Sequence, residues 1–447
     1  MSSDIILVIG TTPDYVTRLN ESHAGKLCFA MHYSFEREFD LESGKPCHLY
    51  FTDIENHHVL LEKTERYLKK HKLIPQGIAC FDCESLMAAS LLARSLNLFF
   101  ASPESISLCR NKFLSKQLWL RHNVPAPEAT MASNLSQTID FFRKNGNQNI
   151  VIKPVSASGS ELVFKCRNEL QISEAVEVMT AELSRRKDKR LFNGCTVFPD
   201  DRDVDPCGFW VAETCINGRE FSCDFILDQE RVHLIRETAK VMAPNQTFGS
   251  VLAYVYPPSY PENFLKDEFK KTLKNAAYAL GFDRGYFMAD FIVDRDRPMI
   301  LELTPRPGGD SIPDLIETAA GIDIPGLYLS YVRKDLKLPV SFPRSASSFA
   351  AINLYAPAEG LIKYLSAQRM KLLPWVKSVR LLRETGDIVC FPPEDYDSRL
   401  LGYCIVESRY DTDDETDPFS LSRIIFDHLI FSISKSTQWT ISQDAYY

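Results

Sequence analysis

The segment from Tyr286 to Gly309, YFMADFIVDRDRPMILELTPRPGG, constrains this chain more than any other stretch. Two β-rich runs flank a polar centre at Asp294 to Pro298, which predicts an antiparallel hairpin with its midpoint at Asp296. That midpoint sets Asp290 opposite Glu302 and Met288 opposite Thr304. Side chains alternate along a strand with a period of two, so Asp290, Glu302 and Thr304 project from one face. Opposed like charges on a sheet are unfavourable by a few tenths to about 1 kcal/mol, and a cation on that face turns the liability into a site. Two hard carboxylates, completed by water and nucleotide phosphate oxygens, suit octahedral Mg²⁺. A register one residue out gives the alternative: Asp290 points to solvent and Glu302 pairs with Arg306 or Arg297. Pro307 to Gly309 then form a loop whose glycines let backbone approach a ligand closely. Arg306 beside it carries a fork that fits phosphate or carboxylate.

With 447 residues the chain has room for about three domains. Hydrophobic residues at 45% and charged residues at 25% supply ordinary globular cores, which excludes global disorder and collagen-like architecture. The formal charge of -8, with no basic run able to neutralise several phosphates, argues against a nucleic-acid partner. The opening MSSDIILVIG has no basic leader and too short an apolar run for a signal or a span, and Arg94 and Asn97 interrupt the apolar stretch Leu86 to Ala101. A cytoplasmic protein that does not engage membranes is the expectation. The twelve cysteines are scattered, and Cys80 and Cys83 alone form a CxxC. Reduced thiols are the plain reading and a redox pair the sharper one.

Along the chain, apolar runs at Ile5–Ile9, Lys26–His32, His48–Thr52 and Gly77–Phe81 alternate with helical patterns at Val59–His71 and Glu84–Ser95. This is a doubly wound α/β unit, although Gly10 stands where a dinucleotide fingerprint needs three glycines. Ser102-Pro103-Glu104 starts a helix that is expected to run to about His122. Strands at Ile150–Lys153 and Leu162–Cys166 and a helix at Ile172–Ser184 follow. A charged, Asp-rich stretch between Arg185 and Gly208 reads as a loop. Strands at Val211–Ile216, Phe221–Leu227 and Val232–Thr238 and a helix at Glu262–Leu280 lead to the hairpin. Arg333 to Ser348, rich in Pro, Ser, Lys and Arg, marks a boundary. Beyond it come short strands, an acidic loop at Asp411–Asp417 and a helix near Leu421–Ser434.

Two lysines and a turn complete the candidate site. Lys153 ends the strand NIVIKP ahead of a loop of small residues, Ser156 to Ser160, which can fold over phosphates while the lysine acts as a point charge. Lys112 lies in SLCRNKFLSKQ. VAETCINGREFSCD is a strand-turn-strand with Glu213 and Glu220 on its two arms. In order and spacing, from about Gly77 to Ser330, these elements resemble the ATP-grasp superfamily: the Lys112–Leu120 helix followed by VPAPEA, VIKP with its loop, the E-x-x-I-x-G-x-E hinge from Glu213 to Glu220, and the D…E-x-T-P-R-P-G-G hairpin. The tail, with GLIKYL, LLPWVKSVRLLRETGDIVCFPP and GYCIVESR, resembles the C-terminal lobe of L-amino-acid ligase-type members.

The resemblance implies an α/β ATP-grasp fold: an N-terminal domain over 1–105, ATP-grasp lobes over 106–330 and an α+β lobe over 331–447. It implies a ligase that makes an amide through an acyl phosphate, with ATP as co-substrate, Mg²⁺ as cofactor, a small-molecule carboxylate and amine as substrates, and room for a homodimer. Lys112, Lys153, Ser158 and Gly159 would meet the phosphates, Glu213 to Ile216 the adenine, and Glu220 the ribose. Asp290, Glu302 and Thr304 would hold metal, and Arg306 the substrate carboxylate or acyl phosphate. Thr304 stands where the family usually has a metal-binding Asn, and Asn111 precedes Lys112 where Asp is common. A non-amine acceptor, or a nucleotide-binding protein with impaired catalysis, are the alternatives.

Overall fold

The structure is a computed structural model that describes residues 3–37, 48–186, 192, 204–339, 341–408 and 418–434. The Asp411–Asp417 loop, and 187–191 and 193–203 of the Asp-rich stretch, lie outside the described residues.

The N-terminal unit comprises β1 (Ser3–Ile9), α1 (Pro13–His23), β2 (Leu27–His32), β3 (Leu49–Thr52), α2 (His57–His71), β4 (Leu73–Ala79) and α3 (Leu86–Ser95). Its sheet has the order β3-β2-β1-β4 and is wholly parallel. Continuous apolar runs make this sheet, since both faces of β2 are buried. The chain winds outward from β1 and then returns to place β4 on its other side, which leaves a crevice at the carboxyl ends of β1 and β4. Gly10, at φ +64, follows β1, and a Cβ there would lie 1.9 Å from Ser85 Oγ and 2.7 Å from Asp82 Oδ2. This glycine therefore serves the close approach of β1 to the entry of α3.

Next come α4 (Pro103–Arg110), α5 (Lys112–Arg121), β5 (Ala129–Ala132), α6 (Leu135–Lys144), β6 (Ile150–Pro154), β7 (Phe164–Cys166), α7 (Glu169–Arg185) and β8 (Trp210–Thr214). The strands form an antiparallel sheet of order β5-β8-β6-β7. The single helix expected from Ser102 to His122 is two helices. Asn111 takes an extended conformation (φ -91, ψ 106), and its side chain accepts from the N–H groups of Phe113 and Leu114, so it stops α4 and caps α5.

The remaining elements are β9 (Arg219–Asp228), β10 (Arg231–Met242), β11 (Val251–Tyr256), α8 (Lys266–Ala279), β12 (Arg284–Asp294), β13 (Arg297–Thr304), α9 (Ile312–Ala320), α10 (Ile324–Val332), β14 (Ser348–Tyr355), β15 (Gly360–Ser366), β16 (Val376–Leu381), β17 (Ile388–Val389), β18 (Leu400–Ser408), α11 (Pro418–His428) and β19 (Ile430–Ser434). An eight-stranded sheet runs β13-β12-β9-β10-β11-β14-β18-β16, so strands from the C-terminal third extend the sheet that carries the hairpin. The helix expected at Leu421–Ser434 ends at His428, because Ile430–Ser434 pairs with β15 in a small sheet of order β17-β15-β19. Phe221, Phe225, Phe287 and Phe291 are fully buried on the face of the large sheet covered by α8, which turns the opposite face of β12 and β13 toward the smaller sheet.

In the hairpin, Met288 pairs with Thr304 and Asp290 with Glu302, the expected register. The turn differs from expectation: Asp294 pairs with Arg297 around a two-residue connection, with Arg295 at φ +58. A bulge at Leu301, between Ile300 opposite Phe291 and Glu302 opposite Asp290, takes up the difference.

Candidate active site

Lys112 begins α5. Its N–H donates to the Val155 carbonyl at 2.9 Å and its Nζ to the Ala157 carbonyl at 2.9 Å, while Glu302 Oε2 lies 3.6 Å from Nζ. The start of this helix is therefore stitched to the small-residue loop after β6 and to the hairpin. Lys153, next to last in β6, forms an ion pair with Glu213 of β8. Val151 faces Glu213 and Lys153 faces Val211 across the ladder, so the two charged side chains share one face diagonally.

A second lysine completes this pair. Lys116, one helical turn after Lys112, has no exposed side-chain surface. Its Nζ lies 3.2 Å from Glu213 Oε2 and donates to the carbonyl of Leu301 at 3.0 Å. The bulge thus presents the carbonyl that fastens α5 to the hairpin. Burial pushes Lys116 down to about 8; Glu213 opposes the shift, and Lys153 and Lys112 add to it. Burial acts against the charged form of Glu213, but Lys116 and Lys153 outweigh it and hold its carboxyl below the ordinary range. Glu302 follows the same logic: against burial, Lys112, Arg110, Lys153 and Arg306 hold it at about 2. It stays ionised throughout the neutral range.

Asp290 is met by Lys240 of β10, whose Nζ donates to Asp290 at 2.7 Å and to Glu220 at 2.8 Å. Lys240 pairs with Glu220 in the ladder and reaches Asp290 across β9 at the small Ser222. Thr304 is 2% exposed, and its hydroxyl donates to Glu302 Oε1 at 3.5 Å, behind the carboxylate. Among the described residues no three His, Cys, Asp or Glu side chains form a metal cluster. The donor set on the cleft face is two opposed carboxylates, and Mg²⁺ is commonly held by one or two carboxylates with substrate phosphates. Asp290 and Glu302 fit that ion, and the ammonium groups of Lys240 and Lys112 now stand beside them.

Arg306 Nε contacts Cys83 Sγ at 3.1 Å, and its Nη1 donates to the Pro307 carbonyl at 2.6 Å. The following turn is held from below. Gly308 N–H donates to Asp224, which also accepts from Arg236 at 2.6 Å and from the Tyr286 hydroxyl at 3.1 Å. Asp224 and Arg236 are wholly buried, and a Cβ on Gly308 would lie 2.2 Å from an Arg236 nitrogen.

Ser158 donates to Glu84 Oε1 at 2.9 Å, and Gly159 takes φ +63 in the loop after β6. Ile216 lies between β8 of the smaller sheet and β9 of the larger one, so the expected hinge is the strand-to-strand crossover between the two sheets. Gly218 within it would set a Cβ 2.3 Å from the Val293 carbonyl. The structure therefore gathers Lys112, Lys153, Glu213, Glu302 and Thr304 in one contact network and Glu220 with Asp290 in another on the same sheet. Arg306 and Ser158 flank them. Sequence reasoning missed Lys116, Lys240, Glu84 and Arg110. Only Lys116 carried a local signal, its spacing of four from Lys112 on a helix whose other buried positions include Ser115 and Trp119.

Residues 146–314 match the ATP-grasp domain family. A D-alanine–D-alanine ligase of Acidovorax ebreus is 26% identical over 235 residues, 50% of this chain and 62% of its own length. An uncharacterized protein of Sinorhizobium fredii is 22% identical over 356 residues, 78% of this chain and 65% of its own length. The chain thus spans less than two thirds of the length of the curated relatives it matches. The crystal structure of an L-amino acid ligase from Bacillus licheniformis superposes with a TM-score of 0.74 at 17% identity, covering 97% of this chain and 99% of that one, a likeness of fold. Among the described residues no helix is long and apolar enough to cross a membrane. The ordered motifs, the paired sheets with their hinge and the matched segment agree: residues 146–314 of this chain match an ATP-grasp domain, and its fold is that of the L-amino acid ligase structure.

Proposed function

We propose that this protein is an ATP-dependent carboxylate–amine ligase acting on small molecules. One observation supports this most: the lysines of β6 and α5 and the two hairpin carboxylates are gathered where the two sheets meet, with Arg306 acting on Glu302, as transfer from a nucleotide to an anionic acceptor requires. A carboxylate resists nucleophilic attack because charge must build on an anion. Its oxygen instead attacks the γ-phosphorus of ATP, ADP leaves, and the acyl phosphate formed has phosphate as its leaving group. The amine nitrogen then attacks the carbonyl carbon, the C–O bond to phosphate breaks, and the nitrogen loses a proton.

In this reading Lys112, Lys153 and the Ser158–Gly159 loop take the phosphates. Lys116 and Glu213 hold Lys153 in place. Backbone from Glu213 to Ile216 lines the adenine, since the Glu213 carboxylate is already engaged by lysines, and Glu220 takes the ribose. Arg306 steadies the carboxylate and then the acyl phosphate. Asp290 and Glu302 hold Mg²⁺, with Thr304 at the third position or orienting Glu302. The ion, when bound, neutralises charge on the phosphates. The proposed setting is the cytoplasm, with 1–105, 106–330 and 331–447 as working units even though the last two share a sheet.

The test is product analysis with ATP, Mg²⁺ and a panel of amino-acid pairs. One amide per ADP is expected. With the acid alone, hydroxylamine should trap the acyl phosphate as a hydroxamate with stoichiometric ADP. Phosphate release without amide or hydroxamate would point to another acceptor, and no ADP from any mixture to nucleotide binding alone.

A further inference from the structure

Amide formation by the route above leaves one proton without an acceptor. When the amine nitrogen bonds to the acyl carbon it becomes cationic, and it must release a proton as phosphate departs. The carboxylates already placed in the site are engaged by cations. Glu213 lies between Lys116 and Lys153, Asp290 and Glu220 share Lys240, and Lys112 and its neighbours hold Glu302 at about 2 against burial. Asp224 is closed inside the sheet with Arg236.

Asp310 differs from all of these. It ends the turn that begins at Arg306, it is exposed, and among the described residues it enters no ion pair. Arg306 Nη1 stands 3.9 Å from where a Cβ on the adjoining Gly309 would lie, so Asp310 borders the guanidinium that steadies the acyl group. Its Oδ2 accepts from the Tyr254 hydroxyl at 2.9 Å. Tyr254 faces Lys240 in the ladder between β10 and β11, and burial, Asp310 and Asp290 push its phenol up. The Asp310 carboxylate is therefore fixed over the sheet face that carries Asp290 and Lys240. Asp397 and the Tyr355 phenol also act with it.

Two features argue against a purely local role. Asp310 has φ +53, in the left-handed region that glycine occupies most readily, and it follows two glycines. A third glycine would relieve the backbone, so the position keeps Asp for its side chain. Asp310 also precedes α9 without capping it, since its side-chain hydrogen bond goes to Tyr254.

We propose that Asp310 is the catalytic base of amide formation. The inference rests on the ligase reading above. The amine sheds its first proton to water and attacks the acyl carbon. As the C–N bond forms, the cationic nitrogen becomes acidic enough for a carboxylate, and its N–H bond breaks toward Asp310 Oδ1. The C–O bond then breaks with its electron pair leaving on phosphate, and Asp310 returns the proton to solvent.

The test uses the acid and amine that the full chain joins fastest in the amino-acid panel, with hydroxylamine as a second nucleophile for the same acyl phosphate. Hydroxylamine is a weak base, so the nitrogen it brings gives its proton to water without a carboxylate. Asp310→Asn should lower amide formation at least a hundredfold, within the span of about 10²–10⁴-fold typical of a general base. Hydroxamate formation should fall less than threefold, and ATP affinity by calorimetry should stay within twofold. Tyr254→Phe, which releases the carboxylate without removing it, should lower amide formation at least threefold and hydroxamate formation less than twofold. Amide formation within threefold of wild type in Asp310→Asn overturns the proposal. An equal loss of amide and hydroxamate overturns it as well, because the defect then precedes amine attack. If Asp310→Asn does not bind ATP, Tyr254→Phe decides, and unchanged amide formation there overturns the proposal. In each of these outcomes the wild-type chain still makes amide and the ligase reading stands. Neither amide nor hydroxamate from the wild-type chain with any acid overturns that reading, and the base with it.

Discussion

At the scale of single residues, the site depends on carboxylates that are held ionised while buried. Glu213 sits 3% exposed between Lys153 and Lys116, an arrangement in which desolvation is offset only because two ammonium groups share one acid. This makes Lys153 removable without stranding a charge. In Lys153→Ala the Glu213 carboxylate keeps Lys116, so the fold should survive while nucleotide affinity falls at least tenfold, about 1.4 kcal/mol. Calorimetry with ATP would show it, and an unchanged affinity would take Lys153 out of the phosphate site. Lys153 and Lys112 could be read from local pattern, one before a loop of small residues and the other in a motif. Lys240 could not. Nothing near it marks a site, and its partner Asp290 is fifty residues away in the chain.

At the scale of elements, the hairpin shows how local rules yield a correct answer through compensating errors. Alternation places Asp290 and Glu302 on one face, and the structure agrees. The turn sits half a residue from the expected midpoint, and the bulge at Leu301 restores the pairing just where the acids stand. A bulge leaves no clear trace in composition, and the Leu301 carbonyl at this one is met by the Lys116 ammonium of another element. The split at Asn111 was missed for a related reason: an Asn inside an apolar helical pattern reads as tolerated until its side chain is seen capping the next turn. Glu302→Gln removes charge at nearly constant shape. It should abolish ATP turnover while the thermal unfolding midpoint stays close to wild type, and retained Mg²⁺-dependent turnover would contradict the metal assignment.

At the scale of the whole molecule, nucleotide would bridge two sheets that are otherwise joined by the crossover at Ile216 and by α5. A ligand that binds only the folded state stabilises it by about 2.7 kcal/mol at one hundred times its dissociation constant. ATP with Mg²⁺ should therefore raise the unfolding midpoint, and chelating the metal should remove most of the gain. An equal gain without metal would remove Asp290 and Glu302 from nucleotide binding. The sequence by itself determined what depends on near neighbours: the parallel apolar strands of the N-terminal unit, the hairpin and its facing acids, the lysine before the small-residue loop, and the order of motifs. Only the tertiary structure decided which charges meet. That Lys116 lies under Glu213, that Lys240 stands beside Asp290, that β14 extends the hairpin's sheet and that Glu394 to Asp397 face the end of β1 all depend on contacts between distant segments. Such contacts are settled by which buried charges can be mutually satisfied once the sheets pack, and local spacing carries no record of that outcome.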